Sequence, residues 1–167
     1  TRLLGPLIAM NNNGVLASRM VEDYEAEEIT SKTGLKVVKF ESRFTAVGNL
    51  VAANDHGAIV SPVLEPHAVE QVKKVLGTET HTMTVGDFPQ VGAMVLATNS
   101  GAAVSPRASE QEVEVIQRVL KVEVSASSVN GGIPFPASGV VANTKNAVVG
   151  YVTSGPELIF LTRALKV

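Results

Sequence analysis

Short apolar runs that end in an asparagine recur along the chain at a nearly constant spacing. The asparagines that close these runs are Asn11, Asn54, Asn99 and Asn143, at intervals of 43, 45 and 44 residues. Small or polar residues follow each of them, and a second apolar run comes next. Asparagine and glycine both tolerate the positive φ that a tight hairpin turn needs. The pattern therefore predicts four copies of one β-hairpin unit.

A helix is predicted after each hairpin. Residues 65–76 carry apolar positions at helical spacing, with Pro66 in the first turn and Gly77 at the C-terminal cap. The stretch 21–29 is acidic and less clearly amphipathic. Capping boxes begin two further helices, at Ser109 with Glu112 and at Ser154 with Glu157.

A third strand is predicted after each of the first three helices, at residues 35–40, 79–85 and 122–125. Each repeat then reads strand, turn, strand, helix, strand. We expect one domain of four repeats, spanning about 1–44, 45–87, 88–132 and 133–167. Such units must pack on their neighbours to cover their apolar faces, and closure into a ring hides sheet edges. The expected fold is an α/β propeller with helices outside and sheets towards the centre.

The charge balance argues against a protein that grips nucleic acid through its phosphates. The 167 residues include 14 basic and 16 acidic side chains, a net charge of −2. A phosphate-tracking protein usually has a basic excess. The five phenylalanines and two tyrosines are too few for a base-stacking platform.

The absence of cysteine excludes disulfides, thiolate nucleophiles and cysteine zinc sites. No apolar run approaches the ~20 residues that span a bilayer, and the start has no signal-peptide pattern. We therefore expect a soluble cytoplasmic protein that does not enter membranes. Because the chain begins at Thr1 and not at Met, we expect a fragment or a processed product.

No motif predicts a catalytic residue, a metal site, a cofactor or a small-molecule substrate. His56, His67 and His81 lack metal-ligand spacing and are expected at the surface. The glycine-rich segments 129–132 and 153–156 match no phosphate-binding loop, and no nucleophile elbow occurs. The acidic clusters near helix starts are expected to be solvated faces.

The repeated asparagine turns have two interpretations, and both stay open. They serve hairpin geometry alone, or a ring places them on one side as a polar rim for a partner. The second repeat adds Asp55 in its turn and Asn49 directly after Gly48. Asn49 stands at the start of an otherwise apolar strand and has no evident packing role, which favours binding.

At these residues the chain resembles the archaeal and eukaryotic translation initiation factor six family, the ribosome anti-association factors. The resemblance runs over the whole chain in order, and the lack of a long C-terminal tail is closer to the archaeal members. The matching segments are TAVGN (45–49), ND (54–55), AIVSP (58–62), TNSG (98–101), LKVEV (120–124), SVNGG (128–132) and TSGPEL (153–158).

The resemblance implies the pentein fold, a five-bladed α/β propeller built from ββαβ repeats. Four of the five blades are present in this chain, and the first is missing. An open ring would leave strand edges and apolar flanks uncovered, and self-association would cover them.

The resemblance also implies a non-catalytic function. Such factors bind the large ribosomal subunit, chiefly through ribosomal protein L fourteen near the sarcin–ricin loop. They sterically block joining by the small subunit and take part in large-subunit biogenesis. The ribosome-binding positions that this implies are Gly48, Asn49, Asp55 and Asn12, with Asn99, Asn130 and Asn143 added by the repeat.

Two alternatives remain beside a ribosome-binding factor. The chain could be an inactive structural fragment of such a factor, since one blade is missing. It could also be a pentein enzyme, a less favoured alternative. Pentein enzymes that resemble arginine deiminase use a cysteine nucleophile, which this chain does not contain.

Overall fold

The computed structural model describes residues 3–167, which form an α/β fold with four small sheets. The α-helices are α1 (Leu4–Leu7), α2 (Asp23–Thr33), α3 (Val47–Leu50), α4 (Pro66–Leu76), α5 (Val91–Met94), α6 (Glu110–Leu120) and α7 (Gly155–Leu165), with a 3-10 helix at Pro136–Ser138. The strands are β1 (Ile8–Met10), β2 (Val15–Ala17), β3 (Val37–Lys39), β4 (Val51–Ala53), β5 (Ala58–Val60), β6 (Thr80–Thr82), β7 (Val95–Ala97), β8 (Ala102–Val104), β9 (Val124–Ala126), β10 (Val140–Ala142) and β11 (Ala147–Val149).

The same order of elements recurs four times: one helical turn, two antiparallel strands and an 11-residue helix. We call these sets units 1 (4–39), 2 (47–82), 3 (91–126) and 4 (136–165). In units 1 to 3 a third strand follows the long helix and pairs in parallel with the second strand. The sheet of unit 4 has two strands within the described residues. The predicted order of strand, turn, strand, helix and strand is therefore confirmed for units 1 to 3.

The predicted limits of three long helices are confirmed, and those of the first are wrong. Helix α4 begins at Pro66 and ends at Gly77, whose φ is 62°. Capping boxes at Ser109 and Ser154 begin α6 and α7. Helix α2 covers 23–33 and not 21–29, because its last turn is polar and gave no apolar periodicity. No side chain of α2 is buried.

The start of each apolar run is a helical turn, which corrects the predicted strand start at Gly48 and Asn49. Both residues lie in α3, and the strand begins only at Val51. The turn and the strand share one hydrophobic run because both bury side chains in the same core, Leu50 from the turn and Val51 from the strand. Residue hydrophobicity alone therefore could not separate the two.

The hydrophobic core lies mainly between neighbouring units. The long helix of each later unit packs against the second strand of the unit before it: α4 on β2, α6 on β5 and α7 on β8. The middle residue of β5, Ile59, is fully buried by this contact. In unit 4 the equivalent sheet face is open, and Val141 and Val148 are 76% and 73% exposed.

The units follow one another side by side in chain order. Helix α1 contacts α3, α3 contacts α5, and α5 contacts the 3-10 helix of unit 4. The first strands of the units are also in contact in the same order, β1 with β4 and β4 with β7. A cavity of about 150 Å³ is lined by the last residue of the first strand and the next two residues from all four units. Equivalent hairpin ends of the four units therefore meet at one place.

Candidate functional site

The predicted site residues lie at two opposite ends of the units. The turn end comprises the four hairpin turns 11–14, 54–57, 98–101 and 143–146, with the C-terminal ends of the long helices beside them. The short-helix end comprises the one-turn helices and the N-terminal ends of the long helices. A three-residue strand joins the two ends, which corresponds to about 10 Å at ~3.3 Å per residue.

At the turn end, one buried asparagine joins its own turn to the next unit. The Asn54 Oδ1 accepts hydrogen bonds from the N–H groups of His56 and Gly57, at 2.9 and 3.1 Å. Its Nδ2 donates to the carbonyls of Thr98 and Leu120, at 3.0 and 2.9 Å. One side chain thus shapes a turn of unit 2 and binds the turn and the helix end of unit 3.

Asn11 repeats this arrangement one unit earlier. Its Nδ2 donates to the carbonyls of Asn54 and Leu76, at 3.1 and 2.7 Å. Its Oδ1 accepts from the N–H groups of Asn13 and Gly14 within its own turn. Hairpin geometry and unit-to-unit contact therefore account for both residues.

In unit 3 the equivalent position is Thr98, which corrects the assignment of Asn99 as the residue that closes the run. The Thr98 hydroxyl accepts from the N–H groups of Ser100 and Gly101, as an asparagine oxygen would. It has no amide nitrogen that could reach the next unit. In unit 4 the exposed Asn143 accepts from Lys145 and Asn146 within its turn.

Asp55 of unit 2 forms hydrogen bonds with two other predicted site residues, Asn12 of unit 1 and Asn99 of unit 3. Its carboxylate accepts from the Asn12 N–H at 2.9 Å and from the Asn12 Nδ2 at 2.7 Å. The Asn99 Nδ2 donates to the same carboxylate at 2.5 Å, and Asn99 Oδ1 accepts from the Asp55 N–H. Partial burial raises the pKa of Asp55, but these hydrogen bonds outweigh it and hold the pKa below its ordinary value.

Gly48 and Asn49 lie at the short-helix end. A Cβ on Gly48 would stand 1.9 Å from the Gly5 carbonyl oxygen, so the two helical turns stack backbone to backbone. Asn49 is half-buried, and its side-chain amide makes no hydrogen bond to any residue of 3–167. The equivalent positions in the other units are Pro6, Ala93 and Ser138.

Asn130 also lies at the short-helix end, in the loop that precedes unit 4. Its φ is 53°, and its N–H donates to the Thr153 hydroxyl, which donates back to Asn130 Oδ1 at 3.2 Å. The side chain lies over Gly139 and Gly150, where a Cβ on either glycine would meet it at 2.6 and 2.0 Å. Asn130 therefore holds both ends of a hairpin together.

Glu157 is a residue whose role the sequence indicated only as a helix cap. It is 6% exposed, and its carboxylate accepts from the N–H groups of Gly131 and Gly132 and from the Ser128 hydroxyl. The Ser154 N–H bond, against the opposing effect of burial, lowers its pKa to about 2. Glu157 is therefore ionised at neutral pH and fixes the loop 128–132 at the short-helix end.

The ionisable groups do not converge on one point. Within residues 3–167, no group of three His, Asp or Glu side chains could hold a metal ion. His56 lies in a turn, His67 in the first turn of α4 and His81 in β6. None of the helices in residues 3–167 combines the length and the apolar composition that a membrane span requires. The site residues instead present hydrogen-bonding groups at two polar ends.

These features define an α/β protein of recurring units with polar ends. The eIF-6 family model matches residues 1–164. The chain is 45% identical to translation initiation factor 6 of Cenarchaeum symbiosum (strain A) and 46% identical to that of Nitrosopumilus maritimus (strain SCM1), over 164 residues each. Both matches cover 98% of this chain and 74% of the relative. The chain belongs to the eIF-6 family, which confirms the resemblance found in the sequence.

Proposed function

We propose that this protein is a cytoplasmic translation factor that binds the large ribosomal subunit and sterically prevents association with the small subunit. A role in large-subunit biogenesis belongs to the same proposal. Membership of the eIF-6 family supports a function in translation. The proposed contact is ribosomal protein L fourteen, near the sarcin–ricin loop.

The observation that carries the proposal is the unpartnered amide of Asn49. The Asn49 amide makes no hydrogen bond within residues 3–167 and its polar atoms are accessible to solvent, so the amide is available to a partner outside the chain. Units 1 and 3 build the same helical turn with Pro6 and Ala93, so folding does not require an amide there. We therefore assign the docking surface to the short-helix end, with Asn49 and Gly48 within it and Asn130 holding a loop beside it.

The four units form one domain in this proposal, arranged as a four-unit, pentein-like propeller. The shared cavity and the side-by-side order of the units support this arrangement. Asn12, Asp55 and Asn99 would serve binding indirectly, because their hydrogen bonds join units 1 to 3. A compact body of this kind can block subunit joining by occupying the docking face alone.

Co-sedimentation with purified archaeal large subunits tests the proposal. Wild-type protein should pellet with large subunits and reduce the joined-ribosome peak when small subunits are added. Asn49→Ser shortens the side chain and should weaken pelleting about tenfold, the equivalent of one or two hydrogen bonds at ~1 kcal/mol each. Its melting temperature should stay unchanged, because no intramolecular hydrogen bond is lost.

Asn146→Ser is the matched control, because Asn146 is exposed at the turn end and its side chain makes no hydrogen bond within residues 3–167. This variant should pellet like wild type. Equal weakening by both variants would refute the assignment of the docking face. Failure of the wild type to pellet would leave the inactive structural fragment as the explanation.

The open sheet face of unit 4 supports self-association as a further part of the proposal. Val141 and Val148 expose their side chains on this face, and Tyr151 nearby is 99% exposed. A second copy of the chain would remove this apolar area from water. Sedimentation velocity over a hundredfold concentration range should then show a rising mass, and a constant monomer mass would contradict self-association.

A further inference from the structure

Charged side chains are divided unequally between the two ends of the molecule. At the turn end, basic residues occupy the last turn of each long helix, the turn of unit 4 and the segments between helix and third strand. They are Lys32, Lys36, Lys73, Lys74, Arg118, Lys121, Lys145, Arg163 and Lys166. The acidic residues of this end are Asp55, Glu79 and Glu123, together with Glu28, Glu70 and Glu114, which lie four residues before Lys32, Lys74 and Arg118 on the same helices.

The short-helix end has the opposite balance. Its acidic residues lie in the caps and first turns of the long helices and in the adjoining loops. They are Glu22, Asp23, Glu25, Glu41, Glu65, Asp87, Glu110, Glu112 and Glu157. The basic residues of this end are Arg19, Lys39, Arg43 and Arg107. Acidic side chains therefore outnumber basic ones at the short-helix end, and basic side chains outnumber acidic ones at the turn end.

The direction of the long helices explains this division. Each long helix runs from the short-helix end to the turn end, and acidic residues at its start and basic residues at its end complement its dipole. In a protein with helices of mixed direction these charges would cancel over the surface. Because all four long helices run the same way here, their basic ends lie together at the turn end and their acidic starts lie together at the short-helix end. Nine basic residues stand against six acidic ones at the turn end, and the helix C-termini offset about half a charge each, roughly two in all, so a small basic excess remains there.

A depression at the turn end lies between units 3 and 4. A groove of about 690 Å³ is lined by nine residues, which are Asn99, Ser100, Glu114, Gln117, Arg118, Lys121, Val122, Glu123 and Lys166. Lys166 pairs with Glu123 at 2.9 Å. Arg118 and Lys121 have no carboxylate partner within residues 3–167. Two exposed cations and several hydrogen-bond donors thus face the same groove.

We propose that the turn end binds the phosphate backbone of RNA, with this groove at its centre. Phosphate and sugar are contacted by Arg, Lys, Asn, Gln and Ser side chains, which make up six of the nine residues that line the groove. An acidic protein partner is less well matched, because protein interfaces centre on apolar and aromatic anchors. The four turns and the last turns of the long helices contain no phenylalanine, tyrosine or tryptophan.

This surface lies at the opposite end from Asn49 and does not depend on the proposed docking to the large subunit. A factor bound by its short-helix end would present the turn end outwards. The net charge of the whole chain, on which the sequence-based expectation of no phosphate contacts depends, does not describe either end. Binding is expected to be weak and dependent on salt, because few phosphates can contact one face of this size.

Fluorescence anisotropy of a labelled 20-nucleotide oligouridylate tests the proposal at 50 and 200 mM salt. The test variant is Arg118→Gln, Lys121→Gln and Arg163→Gln combined, since all three side chains are exposed. We expect at least a tenfold rise in Kd at 50 mM salt. The slope of log K against log salt should fall by about 2, which corresponds to three phosphate contacts on a single strand.

The matched control neutralises Arg19, Arg43 and Arg107 to glutamine, which changes the net charge by the same amount at the other end. Its Kd should stay within twofold of wild type, and circular dichroism should show both triple variants folded. Equal weakening by the two variants, or no binding by wild type at 50 mM salt, would overturn the proposal. Displacement of the RNA by poly-glutamate as effectively as by unlabelled RNA would instead indicate an acidic protein partner. Asn49→Ser should leave RNA binding unchanged, which separates this test from that of the docking face.

Discussion

Replacement of Asn54 by alanine tests whether the units hold one another in place. Asn54→Ala removes two hydrogen bonds within the turn and two to unit 3. The carbonyls of Thr98 and Leu120 then lose a donor in a place that water reaches poorly, since Asn54 is 3% exposed. The variant should therefore loosen the boundary between units 2 and 3 as well as the turn.

The expected loss is several kcal/mol of unfolding free energy. Each buried polar group left unpaired costs about 1–3 kcal/mol, but the turn N–H groups can partly turn to water. We expect about 3–5 kcal/mol in total for Asn54→Ala. Asn143→Ala removes only the two turn hydrogen bonds at an exposed position and should cost about 1 kcal/mol.

Urea unfolding at pH 7, followed by circular dichroism, measures both losses against wild type. A protein of this size has roughly 5–15 kcal/mol of stability, so the Asn54 variant keeps a measurable folded state. The difference between the two variants reports the bonds between units. A difference below about 1 kcal/mol would show that the two bonds to unit 3 contribute little, and the proposed unit-to-unit role of this asparagine would be wrong.

Two further predictions concern the short-helix end. Ionised Glu157, with its pKa near 2 instead of 4.5, should contribute about 3 kcal/mol at pH 7, and this contribution should disappear as the pH falls from about 4.5 to 2. Urea titrations at pH 7 and pH 3 should accordingly show a smaller acid destabilisation in Glu157→Gln than in wild type. Gly48→Ala should lower stability by about 3 kcal/mol or more, because its Cβ would stand 1.9 Å from the Gly5 oxygen. Thermal melts of both glycine variants measure the difference, and Gly5→Ala, whose added Cβ meets nothing within 4 Å, should have the melting temperature of wild type.

The hairpins and three long helices could be predicted because their signals are local. Pro66 and Gly77 mark the limits of α4 by their own φ preferences, whatever the rest of the chain does. The capping boxes at Ser109 and Ser154 also act within four residues. The period of about 44 residues then extends each local feature to the other units.

The contacts between units could not be predicted in the same way. Nothing in the residue type of Asn54 shows that its Nδ2 reaches Leu120, 66 residues away. Thr98 and Asn99 both fit a turn, and only the hydrogen bonds show that Thr98 takes the place of Asn54. The unequal division of charged residues between the two ends could not be predicted either, because it depends on the common direction of the four long helices and not on the net charge.

Hairpin geometry and partner binding were the two interpretations of the asparagines, and the structure favours different interpretations for different residues. Asn11 and Asn54 have all their side-chain hydrogen-bonding groups engaged inside the molecule, so folding is a sufficient reason for an asparagine there. Asn49 has no such bond within residues 3–167, and units with proline or alanine at that position build the same turn. The fold therefore gives no hydrogen-bonding reason for an asparagine at position 49, and co-sedimentation of Asn49→Ser tests whether a partner gives one.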